Sequence, residues 1–292
     1  MPSSVEAIPG VKKNHPLAKH TSFNIGGAAD WFVETDDLAS VVGVDVPLFV
    51  LGAGTNLLVS DDGIEGLVAR CVARRHEVEG TRLRAEAGLK MMRLARIAAD
   101  HDLTGFEWAI GVPGAVGGAV YQNAGCWGRD LKDVLVDVEG LTAAGDHVTW
   151  QPDELELGYR RSALRHGALK GCLVTAMTIQ LEPGDGAASR KQMAELTRER
   201  NRTQPIQTKN CGSVFVNPPG DSAGRLVEAA GLKGASEGAA QISPLHANFI
   251  VNQGGAKAAE VWRLIERARE AVRDKFGVEL ETEVERVGRW PE

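Results

Sequence analysis

The sequence predicts an α+β protein, because strands and helices occur along the chain without strict β-α alternation. Val46–Leu51 is a continuous apolar run of strand length, and the mainly apolar stretch Cys172–Leu181 also predicts a strand. Glycine-containing turns follow both. An amphipathic pattern at Ala256–Phe276 predicts a long helix. Two consecutive strands around the turn A-A-G-D predict a hairpin, which a regular β-α repeat would not contain.

The individual elements are predicted from apolar periodicity and from the turn residues that bound it. Strands are predicted at Val46–Leu51, Leu67–Val72, Val134–Val138, Val148–Trp150, Cys172–Leu181, Ser213–Val216, Asn248–Val251 and Val278–Val287. Helices are predicted at Leu89–Ala99, Ala188–Asn201, Ser222–Ala230 and Ala256–Phe276. The segment T-Q-P-I-Q-T after the second of these helices predicts a domain boundary.

Length and composition limit the class of protein. The chain has 292 residues, enough for about two domains. Hydrophobic residues make up 43% of it and charged residues 25%, as in ordinary globular proteins. The net charge of −6 argues against a nucleic acid or an anionic membrane as a general partner. No stretch approaches the ~18 apolar residues of a membrane-spanning helix.

The cysteines bear on metal binding and on the compartment. Cys71, Cys126, Cys172 and Cys211 are far apart and form no C-x-x-C pair. This spacing fits neither a structural zinc site nor a disulfide framework, so we expect no bound metal and a reducing environment. The N-terminal residues M-P-S-S-V-E-A-I-P-G lack the apolar core of a signal peptide. We therefore expect a cytoplasmic protein.

The segment Gly111–Gly128 carries six glycines in eighteen positions, interleaved with apolar residues. Glycine lets the backbone approach another surface closely. The segment is therefore a candidate for backbone that lies against a large flat ligand, whose polar edges need N–H and C=O partners. The alternative is a set of tight turns in a core of small residues.

The turn Gly52–Leu57, G-A-G-T-N-L, follows an apolar run directly. Backbone N–H groups of such a turn can hold a phosphate. Neither standard nucleotide fingerprint is present, because Leu57 stands where G-x-G-x-x-G needs glycine and no G-K-[ST] follows. A phosphate-binding turn and a plain strand-to-loop turn both remain open. Thr55 and Asn56 favour binding slightly, because each adds a hydrogen-bonding side chain.

Three further segments place polar side chains among glycine or apolar residues: Tyr159–Ser162, Cys211–Pro218 and Leu280–Val284. Each has a structural alternative, respectively a solvated basic turn, the start of a strand and an exposed alternating strand. Ser213 has no assignable His or Asp partner and G-x-S-x-G is absent, so a hydrolase nucleophile is poorly supported. A hydroxyl that donates a proton remains possible.

Taken together and in this order, these segments resemble the UDP-N-acetylenolpyruvoylglucosamine reductase (MurB) family over nearly the whole chain. The chain is similar to the shorter subgroup, which lacks an insertion after the Y-R-x-S motif. The segments that carry the resemblance are T-S-F-N-I-G-G-A-A-D, L-G-A-G-T-N-L-L-V-S-D-D-G, G-V-P-G-A-V-G-G-A-V-Y-Q-N-A-G-C-W-G, Y-R-R-S, G-S-V-F-V-N-P, G-L-K-G, H-A-N-F-I-V-N and L-E-T-E-V.

The resemblance implies a two-subdomain FAD-binding module of the vanillyl-alcohol-oxidase/PCMH type, followed by a C-terminal α+β substrate-binding domain. The implied domains are 1–75 and 76–204 for FAD and 205–292 for substrate. FAD would be bound non-covalently, and NADPH would be the reductant. The implied cofactor-binding residues are Gly52, Ala53, Gly54, Thr55, Asn56, Leu57, Val112, Pro113, Gly117, Gly118, Tyr121, Asn123, Gly125 and Gly128.

The resemblance also implies the reaction, which is reduction of UDP-N-acetylglucosamine enolpyruvate to UDP-N-acetylmuramate in peptidoglycan precursor synthesis. Arg160 would stabilise the negative charge of an enolate-like species, and Glu283, protonated or sharing a proton, would assist. Ser213 would protonate the carbanion. These three groups are expected to surround the reacting edge of the flavin. The implied substrate-binding residues are Tyr159, Asn217, Lys233, His246 and Asn248, and the expected oligomeric state is a monomer.

The sequence departs from the family pattern at Asn24, Ala28, Trp127, Val216 and Thr282, and none of these removes an implied catalytic group. Two other functions remain as alternatives. One is a sugar or alcohol oxidase of the same flavin superfamily, although the sequence offers no convincing residue for a covalent flavin link. The other is a protein that binds flavin without turnover.

Overall fold

The computed structural model of the protein describes residues 4–291. Within that range the strands are β1 Lys12–Pro16, β2 Ala28–Thr35, β3 Leu48–Leu51, β4 Leu57–Val59, β5 Ile64–Cys71, β6 His76–Glu79, β7 Arg82–Glu86, β8 Leu103–Thr104, β9 Gly125–Cys126, β10 Arg129–Asp130, β11 Leu135–Leu141, β12 His147–Trp150, β13 Leu173–Gln180, β14 Glu182–Pro183, β15 Ser236–Glu237, β16 Ala240–Ile242, β17 Ile250–Asn252 and β18 Glu285–Val287.

The α-helices in the same range are α1 Met91–Asp100, α2 Val116–Gln122, α3 Ala163–His166, α4 Gly186–Thr203, α5 Ala223–Ala229 and α6 Ala258–Phe276. Short 3₁₀ helices lie at Val5–Ala7, Ala18–His20, Leu38–Val41, Glu107–Gly111, Leu131–Asp133 and Pro152–Leu155. Strands and helices are mixed without strict alternation, so the α+β prediction is confirmed.

The chain forms two compact units, each built from separate stretches of sequence. The first comprises, in their described parts, Met1–Lys12, Trp31–Ala53 and Gly66–Arg198. The second comprises Lys13–Asp30, Gly54–Glu65 and Glu199–Glu292. The three-domain division at residues 75 and 204 remains a prediction.

The first unit is organised by a five-stranded antiparallel sheet in the order β12-β11-β13-β7-β6. The predicted hairpin is confirmed as β11 and β12, which pair from Val138–Trp150 to Leu141–His147. Helices α1 and α2 belong to the same hydrophobic core as β7 and β13, to which they contribute residues such as Leu94 and Val120.

A second sheet has the strand order β1-β2-β5-β3. The turn Gly52–Leu57 begins where its edge strand β3 ends. β3 runs parallel to β5, with Leu48 opposite Leu67 and Leu51 opposite Arg70. The strand predicted at Val46–Leu51 begins only at Leu48, and Leu51 alone of its four residues is buried.

The second unit is built around α6, whose apolar stripe is buried as its periodicity predicts. The helix ends at Gly277, which has the left-handed φ of +67° that glycine accommodates. At its start, the Asp61 carboxylate accepts hydrogen bonds from the N–H groups of Ala258 (2.9 Å) and Ala259 (3.1 Å). The antiparallel sheet β15-β16-β17 and the parallel pair β4-β18 complete this unit.

The four predicted helices are confirmed as α1, α4, α5 and α6, with bounds that differ by at most two residues. Two predicted strands are wrong. Ser213–Val216 forms only an isolated bridge, Phe215 with Thr282, and the chain bends at Val214. Within the predicted strand Val278–Val287, only β18 is a strand. Leu280 and Val284 are buried as alternation suggests, but backbone hydrogen bonds of this segment go to several different segments.

Helix α2 lies within the glycine-rich segment and was not predicted, because two of its seven residues are glycine and glycine disfavours helices. No helix in residues 4–291 combines the length and apolar character that crossing a membrane requires.

Candidate active site

Arg160 occupies a two-residue turn in the first unit. Gly158 and Arg161 exchange both backbone hydrogen bonds across it, at 3.0 and 3.1 Å. Arg160 has a left-handed φ of +54°, a conformation that costs a residue with a side chain about 1–2 kcal/mol. Its guanidinium donates to the Gly125 carbonyl at 3.1 Å and lies 5.3 Å from the centroid of the Tyr159 ring. The two-residue turn therefore fixes the backbone of Arg160, and contacts with Gly125 and Tyr159 fix its side chain.

Two buried polar side chains attach this turn to the segment after α2. The amide of Asn123, which is fully buried, donates to the Gly158 carbonyl at 2.9 Å and accepts from the Lys132 N–H at 3.1 Å. The hydroxyl of Ser162 donates to the Tyr121 carbonyl at 2.5 Å and accepts from the Arg165 N–H, so it also caps α3. Asn123 thus has a positioning role that the sequence did not suggest.

The electrostatic surroundings of Arg160 include an aspartate. Burial and the neighbouring Asp133 carboxylate raise the pKa of Asp130 above its ordinary value, and the charge of Arg160 opposes this rise. Tyr159 is 56% exposed. Tyr121 and Trp127 are also exposed large aromatic residues of this unit, so this part of the molecule offers flat surfaces to a ligand.

Helix α2 has a feature that fits a bound planar group. A Cβ added at Gly118 would meet no described atom within 4 Å, and the residue is exposed. Alanine at this position would stabilise the helix by about 1 kcal/mol relative to glycine. No atom of the described residues would clash with its methyl group. Packing within the protein therefore does not explain this glycine, and its contact with a cofactor remains a prediction. Gly117 differs, because its added Cβ would lie 3.1 Å from the Cβ of Ala87.

Other predicted cofactor residues surround this helix in the sequence. Val112 is buried, and Pro113 precedes the helix and is exposed. Gly125 accepts the hydrogen bond from Arg160, and Gly128 has a φ of +76° with no atom within 4 Å of an added Cβ. None of these observations tests contact with a cofactor, so these assignments remain predictions.

The turn after β3 is glycine-dependent at its centre. Gly54 has a φ of +64°, and an added Cβ would overlap the carbonyl oxygen of His20. Its own carbonyl accepts from the Ser22 N–H at 2.9 Å. Within residues 4–291 the backbone N–H groups of Ala53 and Thr55 have no protein acceptor. Donors of this kind fit the oxygens of a phosphate.

Asn56 of the same turn serves the second unit. Its side-chain amide donates to the Glu283 carbonyl at 2.8 Å, and its own carbonyl accepts from the Glu285 N–H at 2.9 Å. Leu57 begins β4, which pairs with β18. Asn56 therefore fixes the backbone at Glu283, a role beyond the predicted cofactor contact.

The segments that carry Ser213 and Glu283 are hydrogen-bonded to each other in the second unit. Val214, which follows Ser213, accepts through its carbonyl from the N–H of Glu283 at 2.8 Å. Ser213 is half-buried, and its hydroxyl makes no hydrogen bond to any described residue. Burial, and then the charge of Glu283, raises the pKa of the Cys211 thiol.

Lys233 and His246 form a charged cluster with Glu228. The Lys233 ammonium pairs with the Glu228 carboxylate at 2.9 Å. Burial and then the charge of Lys233 lower the pKa of His246, and its Nδ1 accepts from the Asn248 N–H at 3.2 Å. Both effects favour the neutral form of the imidazole.

The two remaining predicted substrate residues both bind backbone. Asn217 is exposed, and its Oδ1 accepts from the Ala223 N–H at the start of α5, at 3.0 Å. Asn248 is 3% exposed, and its amide bonds both polar groups of the Phe215 backbone at 2.9 Å. Contact of either residue with a substrate remains a prediction.

Three polar residues that position these segments were not singled out from the sequence. Ser162 could have been found from its place before A-L-R-H, as a helix N-cap. Asn210, whose Oδ1 accepts from the Gly212 N–H at 2.8 Å, could have been found as an Asx turn before glycine. Asp61 acts on a helix 197 positions away, which leaves no local signal. Among the described residues no three His, Cys, Asp or Glu side chains are arranged to hold a metal.

Comparison with known proteins places the chain among flavin-binding oxidoreductases. A family model described as an FAD-binding domain matches residues 35–151. A second, described as the C-terminal domain of UDP-N-acetylenolpyruvoylglucosamine reductase, matches residues 204–287.

Similarity over the whole chain identifies the family. The UDP-N-acetylenolpyruvoylglucosamine reductase of Chloroflexus aggregans is 44% identical and covers 96% of this chain and 98% of its own length. That of Caldanaerobacter subterraneus subsp. tengcongensis is 42% identical, over 94% and 93%. The crystal structure of the Thermus caldophilus enzyme aligns with a TM-score of 0.81 at 36% identity, over 95% and 98%. The chain belongs to the UDP-N-acetylenolpyruvoylglucosamine reductase family.

Proposed function

We propose that this protein uses NADPH and FAD to reduce UDP-N-acetylglucosamine enolpyruvate to UDP-N-acetylmuramate, in the synthesis of peptidoglycan precursors. Family membership supports the reaction. The observation that carries the assignment of residues is the unengaged hydroxyl of Ser213, on a segment hydrogen-bonded to Glu283. The oxidase alternative gains no support from the relatives.

Ser213 is the proposed proton donor. Reduction of the enolpyruvyl double bond needs a hydride at the terminal methylene carbon and a proton at the adjacent carbon. The Ser213 O–H bond breaks to give that proton, and solvent then reprotonates the oxygen. A hydroxyl is a weak acid, so its contribution depends on being held within hydrogen-bond reach of the carbon.

Arg160 and Glu283 are the proposed groups that stabilise charge. Before protonation, negative charge spreads from the carbon to the substrate carboxylate. A guanidinium is suited to such a planar anion, because its donors form a fork. Glu283 shares a proton with the developing enolate and keeps its oxygens hydrogen-bonded. The two-residue turn supports the role of Arg160, since strained backbone conformations cluster at functional positions.

The residues fit FAD at two places. The donors of the turn Gly52–Leu57 suit its pyrophosphate, and the open face of Gly118, with the neighbouring residues of Val112–Gly128, suits its ring systems. When bound, the flavin supplies the hydride that it has taken from NADPH. FAD is held non-covalently, and Tyr159, Asn217, Lys233 and His246 hold the sugar nucleotide.

We place this reaction in the cytoplasm, with the protein acting as a monomer. No disulfide joins any of the described cysteines, which supports a reducing compartment. We keep the three-domain division, with FAD bound by 1–75 and 76–204 and substrate by 205–292. The two family models, which match 35–151 and 204–287, support its last boundary.

The replacement Ser213→Ala tests the proposed chemistry. Flavin reduction by NADPH should proceed as in the parent protein. Reoxidation of the reduced flavin by UDP-N-acetylglucosamine enolpyruvate should slow by roughly 10²–10⁴-fold, the effect of a lost proton donor. Stopped-flow absorbance of the flavin measures both half-reactions.

The control is Ser236→Ala, at an exposed serine of the same unit, which should leave both rates unchanged. Unaltered reoxidation in the Ser213 variant would remove this residue from the mechanism. A parent protein that binds flavin and consumes NADPH, but is not reoxidised by this substrate, would refute the assigned reaction while leaving the flavoprotein intact.

A further inference from the structure

The side chain of Asn248 clamps the backbone of one residue. Its Oδ1 accepts from the N–H of Phe215 at 2.9 Å, and its Nδ2 donates to the carbonyl of the same residue at 2.9 Å. The side chain thus takes the place of a neighbouring strand. Asn248 is only 3% exposed, and both of its amide atoms are engaged.

The backbone of Asn248 extends this clamp by one residue. Its carbonyl accepts from the Val214 N–H at 2.8 Å. Three hydrogen bonds from one residue therefore hold Val214 and Phe215. Hydrogen bonds between buried partners are expensive to break on one side only, because the partner is left without a substitute.

The opposite side of the same segment is held by residues around Glu283. The Val214 carbonyl accepts from the N–H groups of Glu283 (2.8 Å) and Val284 (3.3 Å), and the Val216 N–H donates to the Glu281 carbonyl at 2.9 Å. Residues 214–216 are thus hydrogen-bonded to Asn248 on one side and to the segment that carries Glu283 on the other. The distance between Ser213 and Glu283 depends on this contact.

Ser213 is the residue immediately before the clamped pair. Its hydroxyl has no hydrogen bond to a described residue, so no side-chain partner fixes it. Gly212 precedes it with a φ of +81°, and its N–H donates to the Asn210 Oδ1 at 2.8 Å. The position of the hydroxyl is therefore set by backbone contacts, which on the C-terminal side are those at Val214 and Phe215.

We propose that Asn248 is a positioning residue that holds the Ser213 hydroxyl in place for proton transfer, and that it acts through Ser213 rather than by contact with the sugar nucleotide. This inference rests on the proposed function. A displacement of about 1 Å in a reacting group can cost roughly 10²-fold in rate, and removal of the clamp leaves the backbone free to shift by such an amount.

The test is a double-mutant cycle with Asn248→Ala and Ser213→Ala, in the full-length protein with FAD bound. Asn248→Ala alone should slow reoxidation of the flavin by UDP-N-acetylglucosamine enolpyruvate by roughly 10²-fold. Flavin reduction by NADPH and the affinity for the substrate, read from its perturbation of the flavin spectrum, should stay unchanged. In the Ser213→Ala background the second replacement should have no further effect on reoxidation, because the positioned group is already absent.

A matched control is Asn252→Ala. Asn252 is also a buried asparagine of this unit, and its amide bonds the Phe23 carbonyl and the N–H groups of Gly254 and Ala256. It bonds no residue of the 213–216 segment, so its loss should lower the melting temperature without slowing reoxidation more than about twofold.

Three outcomes would overturn the proposal. If the double variant is slowed by the product of the two single-variant factors, Asn248 acts independently of Ser213. A loss of substrate affinity with normal reoxidation at saturation would show direct binding. Equal slowing in the Asn252 control would show a general effect of packing. If substrate does not reoxidise the parent protein, the proposed function itself fails, and this inference falls with it.

Discussion

At the scale of single residues, Arg160 combines a costly backbone conformation with a tethered side chain. Its φ of +54° is one that glycine adopts without strain. The protein retains arginine there although the turn does not need a side chain. The role proposed for the guanidinium would account for this cost, since function often opposes stability at such positions.

The replacement Arg160→Gly should therefore separate stability from activity. Relief of the left-handed backbone, about 1 kcal/mol, offsets the lost hydrogen bond to Gly125, also about 1 kcal/mol. Stability to urea should stay near that of the parent. Turnover should fall roughly 10²–10³-fold, as when a charge-stabilising donor is removed. Urea unfolding and NADPH consumption measure the two effects.

Glu156 supplies the control for this experiment, because it is exposed and has a φ of +46°. Glu156→Gly should raise the free energy of unfolding by about 1 kcal/mol and leave turnover unchanged. Full turnover in the Arg160 variant would contradict the assigned role. A large loss of stability there would show that the side chain mainly supports the fold.

The chemical groups of the site could be proposed from the sequence, but their supports could not. Y-R-R-S and G-S-V-F-V-N-P singled out Arg160 and Ser213. Nothing in the sequence shows that Asn123 bonds Gly158, 35 positions away. The same holds for the amide of Asn248, because a side chain that imitates a strand leaves no periodic pattern. These contacts depend on tertiary packing.

At the scale of elements, α2 carries two glycines with different surroundings. Gly117 faces Ala87 within its own unit, whereas an added Cβ at Gly118 meets no described atom. Only one of the two glycines is therefore explained by the packing of the protein. The other marks the face that we assign to the flavin.

Gly118→Ala tests that assignment. The apoprotein should gain up to about 1 kcal/mol of stability, because alanine favours the helix. The dissociation constant of FAD should rise about tenfold, which corresponds to about 1.4 kcal/mol. Equilibrium dialysis or quenching of flavin fluorescence measures this change. Gly117→Ala is the comparison and should instead lower the stability of the apoprotein. Unchanged FAD affinity in the Gly118 variant would exclude this face.

Strongly periodic elements were predictable, and weakly paired ones were not. The long helix α6 follows from its apolar stripe, and the β11–β12 hairpin from its turn. The strand predictions at Ser213–Val216 and Val278–Val287 were wrong because the backbone partners of these segments change from residue to residue. Local propensity predicts an extended chain there but cannot tell which groups will pair with it.

At the scale of the whole molecule, non-covalent FAD should stabilise the folded protein by mass action. With free FAD at 100 times its dissociation constant, the gain is about 2.7 kcal/mol. The melting temperature of the apoprotein should therefore rise steadily with added FAD, as differential scanning fluorimetry can show. Two results would contradict non-covalent binding. One is flavin that stays with the protein pellet after acid precipitation, and the other is a melting temperature that does not change with added FAD.

The Asp61 carboxylate caps a helix that begins 197 positions later. During synthesis on the ribosome, the stretch Gly66–Arg198 emerges as a contiguous piece, and most of the first unit can fold early. The segments Lys13–Asp30 and Gly54–Glu65 belong to the second unit and pack with residues near the C-terminus. They can complete their packing only after those residues have been synthesised. For this chain, the second unit is the last part to mature in the cell.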